Sequence, residues 1–238
     1  MNSSLLQFIQ PYAIAIAFLV VFIAEHIFPA HSEKKDVWHD VNNFALGVIN
    51  GGLTFVCGYY FQQLMVYANG HHIGLFQWLH LPFWIALILQ IVLIDISMYW
   101  WHRLNHSFDW LWRFHKVHHS DKSMNTSTVA RFHFMELFLS FIFRIVFFPI
   151  LGFSVTAILL YSFLFFPVVI LHHSNIRISR SFDHLLRVLI VTPRMHRIHH
   201  SKKRVECDSN YSSVFPWWDS LFGSYIKEPE GGKVDFGI

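Results

Sequence analysis

Long apolar runs alternate with polar segments of unequal length along this chain. The first run covers residues 11–28 and stays apolar until Glu25 and His26 near its end. A polar loop at 31–43 carries Lys34 and Lys35. The second run covers 44–66, where Gly47, Gly51, Gly52 and Gly58 would let a neighbouring helix come close. A connection at 67–81 holds no Lys or Arg, and a third run then starts past Pro82 and reaches Trp101. Each run is near the roughly 20 residues with which a helix crosses a hydrocarbon core. A histidine-rich polar segment follows at 102–133. The apolar stretch 134–171 is interrupted by Pro149 and Gly152. It predicts two helices, 134–151 and 154–171, forming a hairpin that crosses the bilayer or dips in and returns. The remainder, 172–238, is polar and basic, with an aromatic patch at 215–225. The opening residues 1–10 lack a basic region, so a cleaved secretory signal is not expected.

Composition sharpens this pattern. Hydrophobic residues make up 54% of the 238 and charged residues 14%, against about 25% charged in a soluble domain. The chain is built for lipid. Its formal net charge of +3 is small and its cations form no stripe, which excludes a nucleic-acid-binding role. Cys57 and Cys207 sit in dissimilar surroundings, so neither a disulfide nor a thiolate zinc site is expected. Nearly all the Lys and Arg lie in 31–43, 102–133 and 172–238. The positive-inside rule then puts these segments on the cytoplasmic side, with the N-terminus outside. The same three segments carry most of the histidines.

There are 18 histidines, and many fall in tight clusters. On a helix Asp95, Tyr99, His102 and His106 share one face. His115, His118 and His119 share a face in the next element, and His196, His199 and His200 repeat their spacing. Positions i, i+3 and i+4 let three rings converge from one turn. Imidazole is the commonest metal ligand, and it needs an acceptor on its other nitrogen to fix its tautomer. The two triplets with His102 and His106 offer more donors than one four-coordinate ion would use. They imply two ions, or one site with bystanders. Nitrogen donors without thiolate suit iron, zinc, copper or nickel. A dry, membrane-adjacent pocket suits oxygen chemistry on an apolar substrate better than hydrolysis.

The bland reading differs from place to place. His26, His31, His39, His71, His72, His80 and His184 read as ordinary packing or surface residues. His133, His172 and His173 are intermediate, either ligands or residues that orient the ligand shell. Asp95 would hydrogen-bond a neighbour such as Tyr99 or, as favoured here, accept the ring proton of a metal-bound histidine. Arg144 within a span would snorkel or pair with Glu136. Trp100, Trp101, Trp110, Trp112, Trp217 and Trp218 read most simply as an interfacial belt.

These motifs occur in a recognisable order. Asp95, His102-x-x-x-His106, His115-x-x-His118-His119, Arg131-x-His133-x-x-Glu136, His173-x-Asn175, Thr192-Pro193-x-x-His196-x-x-His199-His200, Asp208-x-Asn210-Tyr211 and Trp218-Asp219-x-Leu221-Phe222-Gly223 together resemble the fatty acid hydroxylase/sterol desaturase superfamily. The resemblance covers roughly residues 95–225. One departure is Phe134, where many members have proline. The resemblance implies an all-α, integral-membrane bundle of about four to five hydrophobic helices under a cytoplasmic, histidine-rich helical cap holding a dinuclear metal site. Residues 1–81 would be membrane spans outside the match, and 82–238 the catalytic domain. By position, the implied metal ligands are His102, His106, His115, His118, His119, His173, His196, His199 and His200, with His133 as a further candidate. Asp95 and Asn175 would serve the chemistry. The implied cofactor is a pair of iron ions, which zinc can replace in a purified sample. The implied reaction is O₂-dependent hydroxylation of an unactivated C–H bond in a fatty acyl, sterol or other long-chain lipid. Electrons would come from a separate cytochrome b5-like or ferredoxin/reductase protein, since no fused donor domain is evident. Three rivals remain: a lipid desaturase with the same site, a histidine-rich metal transporter, and a structural zinc protein.

Overall fold

A computed structural model of the chain describes residues 3–31, 36–230 and 232–238. Lys34 and Lys35, which contribute to the expected orientation, lie outside the described residues. Five long helices form the bundle: α1 (Ser3–Ile27), α2 (Val37–Gly70), α4 (Phe83–Ser107), α6 (Phe134–Leu151) and α7 (Val155–His173). A short α3 (Leu75–Trp78) follows α2. The remaining elements make a cap: α5 (Asp109–His119), a 3-10 turn (Thr126–Ala130), α8 (Arg180–Leu186), α9 (Pro193–His199), α10 (Arg204–Cys207) and α11 (Trp217–Leu221). No strand forms among the described residues beyond an isolated bridge between Pro29 and Ile176.

All five long helices are long and apolar enough to cross a membrane. Their outward faces expose Phe8, Ile16, Leu19, Val48, Phe55, Ile88 and Val146. Apolar surface of that extent marks a contact with lipid, so this is a multi-pass membrane protein. The helices exceed the expected apolar runs because polar turns extend them. Asp36 caps α2 by accepting from the amides of Trp38 and His39. At 34 residues, or about 51 Å, α2 outruns a hydrocarbon core of about 30 Å and carries His39, Asp40 and Asn43 beyond it. Likewise α4 continues past Trp101, so His102 and His106 ride on the same rod as the third span.

α1, α4 and α7 end where α2 and α6 begin, and this shared end bears every histidine cluster. The opposite end is closed by backbone packing. Gly152 ends α6 in the left-handed conformation, φ 73°, and a Cβ added at Gly74 would collide with the Pro149 carbonyl oxygen. Asn69 donates to the Phe153 carbonyl at 3.0 Å and accepts from the Val155 amide at 3.0 Å. The chain turns at Gly152, while Pro149 stays inside α6. Both arms of the hairpin therefore run the length of the bundle. Among the glycines of the second run, only Gly47 meets a close neighbour, with the Ala130 Cβ 2.9 Å from an added Cβ. Gly51, Gly52 and Gly58 face open space, so the expected close approach occurs at one position of the four.

The core gathers Phe61, Met65, Leu87, Ile94, Phe148, Phe153, Tyr161 and Val214. Val214 shows that the C-terminal segment folds back along α4. There Asp95 accepts from the Tyr161 hydroxyl at 2.6 Å, the Trp218 indole at 2.7 Å and the Phe215 amide at 3.1 Å. Trp218 is therefore buried and leaves the expected belt, whereas Trp100, Trp110 and Trp217 stay exposed. Arg144 donates to the Ser140 carbonyl and hydroxyl, each at 3.1 Å, rather than to Glu136.

Candidate metal centre

Four helices deliver the histidines. The last turns of α4 bring His102 and His106, and α7 ends on His172 and His173. Polar α5 has its histidines on one buried stripe, His115, His118 and His119. α9 starts at a Thr192 cap with Pro193 in its first turn, and then buries His196, His199 and His200. Without its own buried stripe each of these short elements would be marginal; here the stripe is imidazole.

The rings converge into two adjoining groups. His102, His106, His115, His119 and His199 form one, and His118, His173, His196 and His200 the other; within each, the ligand atoms lie within 4.8 Å of one another. The groups touch where His119 stacks on His200, centroids 4.4 Å apart. Nine of the ten histidines expected as ligands are thus brought together.

Most of these rings are fixed by an acceptor on Nδ1. In the first group His102 donates to the Tyr211 carbonyl at 2.8 Å and His106 to Asp208 at 3.2 Å. His115 donates to Glu136 at 2.7 Å and His199 to the Ser209 carbonyl at 2.7 Å. In the second group His118 donates to the Arg131 carbonyl at 3.1 Å and His173 to the Val169 carbonyl at 2.7 Å. A proton on Nδ1 leaves Nε2 as a bare lone pair. His118 and His173 then face each other lone pair to lone pair, Nε2 to Nε2 at 3.0 Å. That approach is repulsive unless a cation lies between them. His173–His196, His196–His200 and His115–His119 also bring Nε2 to Nε2, at 3.1, 3.2 and 3.2 Å. Nitrogens bound at about 2.1 Å to one ion sit about 3 Å apart when they subtend roughly a right angle. The Nε2 atoms of His106 and His199 are buried without any hydrogen-bond partner. This donor set fits a pair of metal ions.

Burial, and secondarily the neighbouring imidazoles, hold His118, His119, His196, His199 and His200 well below the usual imidazole range. Neutral rings are the form that binds metal. Deeper support comes from the loop 210–212. Asp219 accepts from the Tyr211 and Ser212 amides at 2.7 and 3.0 Å and so positions the carbonyl that holds His102.

The other expected residues lie apart from the two groups. His133 caps α6, its Nδ1 accepting from the Met135 amide at 3.1 Å. Asp95 contacts no histidine, so its favoured role as a ring-proton acceptor is corrected: seven residues before His102 on one helix, it sits about 10 Å deeper. The Asn175 side chain joins His31 backbone to Arg197, while its amide donates to Glu25 at 2.8 Å. His172 packs against His196, centroids 4.0 Å apart, outside both groups. The sequence reading missed the acceptors. Glu136 and Asp208 were visible in the motifs, but nothing local showed which ring each would meet. Cys207 was placed in a polar tail; it is buried, 3.6 Å from His119 Nδ1.

Comparison with known proteins agrees with this geometry. The model of the fatty acid hydroxylase family matches residues 87–224. An ornithine lipid hydroxylase from Rhizobium tropici is 30% identical over 162 residues, 68% of this chain and 47% of that protein. The alkylglycerol monooxygenase of Homo sapiens is 33% identical over 150 residues, 61% of this chain and 31% of its own length. A Delta(7)-sterol 5(6)-desaturase from Gibberella zeae is 27% identical over 222 residues, 90% of this chain and 64% of the desaturase. The chain spans about half or less of the first two relatives. No solved structure matches it. From the family match, the ordered motifs and the paired histidine groups together, this chain is a member of the fatty acid hydroxylase family, in the superfamily that also holds the sterol desaturases.

Proposed function

We propose that this protein is a membrane-bound, O₂-dependent oxidoreductase that hydroxylates an unactivated C–H bond of a lipid, with His102, His106, His115, His119 and His199 holding one iron ion and His118, His173, His196 and His200 a second. One observation carries the reading: imidazole Nε2 atoms aimed at one another, 3.0–3.2 Å apart, where a lipid-exposed bundle ends. Iron bound there supplies the oxygen chemistry that no side chain can perform. The protein holds the ions, fixes each ring through its Nδ1 acceptor and keeps water from the centre by burying nearly every ligand. The lipid reaches the centre from the bilayer, its chain lying among apolar side chains of the bundle.

The basic segments that carry the cap favour a cytoplasmic centre, with the N-terminus outside. A separate protein of the cytochrome b5-like or ferredoxin/reductase kind supplies electrons. Among the relatives, the ornithine lipid hydroxylase and the alkylglycerol monooxygenase favour retention of oxygen in the product. The sterol desaturase relative supports a second outcome at the same site, in which hydrogens leave and no oxygen stays. Lipid extracts from cells with and without the gene, grown under ¹⁸O₂, separate the outcomes. A product gaining one labelled oxygen is expected; an unlabelled alkene would establish the desaturase reading. Purified protein should retain two irons with a coupled spectrum. Metal flux through proteoliposomes without bound iron would overturn the oxygenase in favour of a transporter, and zinc in vivo without redox activity would favour a structural site.

A further inference from the structure

Trp112 lies beside the metal centre rather than among its ligands. Its indole is 4.8 Å from the His106 ring and 5.4 Å from the His119 ring, centroid to centroid. With Lys116, Lys202, Arg204, Cys207 and Ile238 it lines a cavity of about 300 Å³ open to the cap surface. Cys207 at its floor is 3.6 Å from His119 Nδ1. Here a single layer of side chains separates the surface from the ligands. His119 then stacks on His200, so this point leads to both histidine groups.

The rim is cationic. Lys116, Lys202 and Arg204 are exposed. The Arg204 guanidinium sits 4.8 Å over the Trp112 ring and pairs with Asp208 at 2.6 Å. Among the described residues Lys116 and Lys202 form no ion pair. Neighbouring Lys203 is engaged by Glu206 and Glu230. An aromatic ring in contact with two ligands, framed by exposed lysines, is complementary to an acidic protein.

We propose that this face is where an acidic one-electron carrier protein docks, and that electrons enter the centre past Trp112. The inference rests on the oxygenase reading above. In that reaction each O₂ takes two electrons and two protons with the substrate C–H bond; one oxygen atom enters the product and the other leaves as water. The electrons come singly from the reduced carrier, which dissociates oxidised. A lysine rim of this kind acts mainly on encounter rate and its salt dependence.

The test uses the full chain, iron-loaded in lipid nanodiscs, with two acidic probes: a plant-type ferredoxin and a soluble cytochrome b5 domain. Binding and carrier oxidation are measured at low and high salt for the parent, K116E/K202E and the milder K116Q/K202Q. At least one probe should bind the parent and be oxidised by it, with salt weakening both. K116E/K202E should slow carrier oxidation about 10-fold or more, and K116Q/K202Q should fall between. Both variants should keep full iron content and parental turnover with dithionite. Parental binding and oxidation rates in K116E/K202E, or no binding of either probe to the parent, would overturn the docking face. Loss of binding to anionic vesicles with carrier oxidation unchanged would reassign the rim to the membrane surface and overturn it too. Failure of the parent to turn over even with dithionite would instead count against the oxygenase reading.

Discussion

The two histidine groups look alike in sequence and differ in what stands behind them. Each draws on the same i, i+3, i+4 triplets of α5 and α9. In the first group two of the five rings are backed by carboxylates, Glu136 behind His115 and Asp208 behind His106. In the second group the fixed rings are backed only by carbonyls, those of Arg131 and Val169, and the His196 Nδ1 is buried with no partner. A carboxylate acceptor makes its imidazole a more basic ligand. The first group is therefore the more basic donor set. Equal spacing has produced unequal sites, and the inequality comes from elements far away in the chain.

Breaking either group should have the largest effect. His199→Ala in the first and His118→Ala in the second should each lower lipid turnover by more than about 100-fold, beyond the loss typical of an outer-shell change. Metal analysis should show one ion lost, while insertion into the membrane stays normal. Retained turnover in either variant would refute the centre. Next come the carboxylates, which test the inequality itself. Glu136→Gln should cost about 10–100-fold in activity or metal affinity, because the pair is buried and short at 2.7 Å. Asp208→Asn should cost less, since its contact with His106 is 3.2 Å, its side chain is 34% exposed and Arg204 shares it. Equal effects would show that the two acceptors do not differ as their surroundings indicate. The smallest effect is expected at His133→Ala. Losing the cap should lower stability by about 1 kcal/mol and leave the metal content unchanged. A lost ion there would make His133 a ligand after all.

Much of the architecture was legible because it follows from local rules. The apolar runs, the break at Gly152 and the triplets of α5 and α9 need only helix periodicity and the thickness of a bilayer. What failed was partner choice. Glu136, two turns before Arg144 on one helix, is a candidate partner for it by sequence if Arg144 does not snorkel, yet His115, 21 residues away, claims the carboxylate. Asp95 reads from the sequence as the acceptor of a metal-bound histidine, while the real donors arrive from α7 and the C-terminal segment. Cys207 gave no sign of burial, since its neighbours in sequence are charged. Trp112 and Trp218 were grouped with a surface belt, which composition alone favours.

The sequence by itself determined that the chain is a lipid-embedded helical protein, that its clustered histidine motifs gather at one end, and that their spacing suits metal. Periodicity and hydropathy act over a few turns, so one chain suffices to read them. Only the tertiary structure decided that the histidines divide into groups of five and four, which acceptor fixes each ring, and that Trp112 and Cys207 lie between the surface and the ligands. Those choices depend on segments up to about half the chain apart meeting in a dry interior. There a polar atom must find whichever partner the packing brings to it.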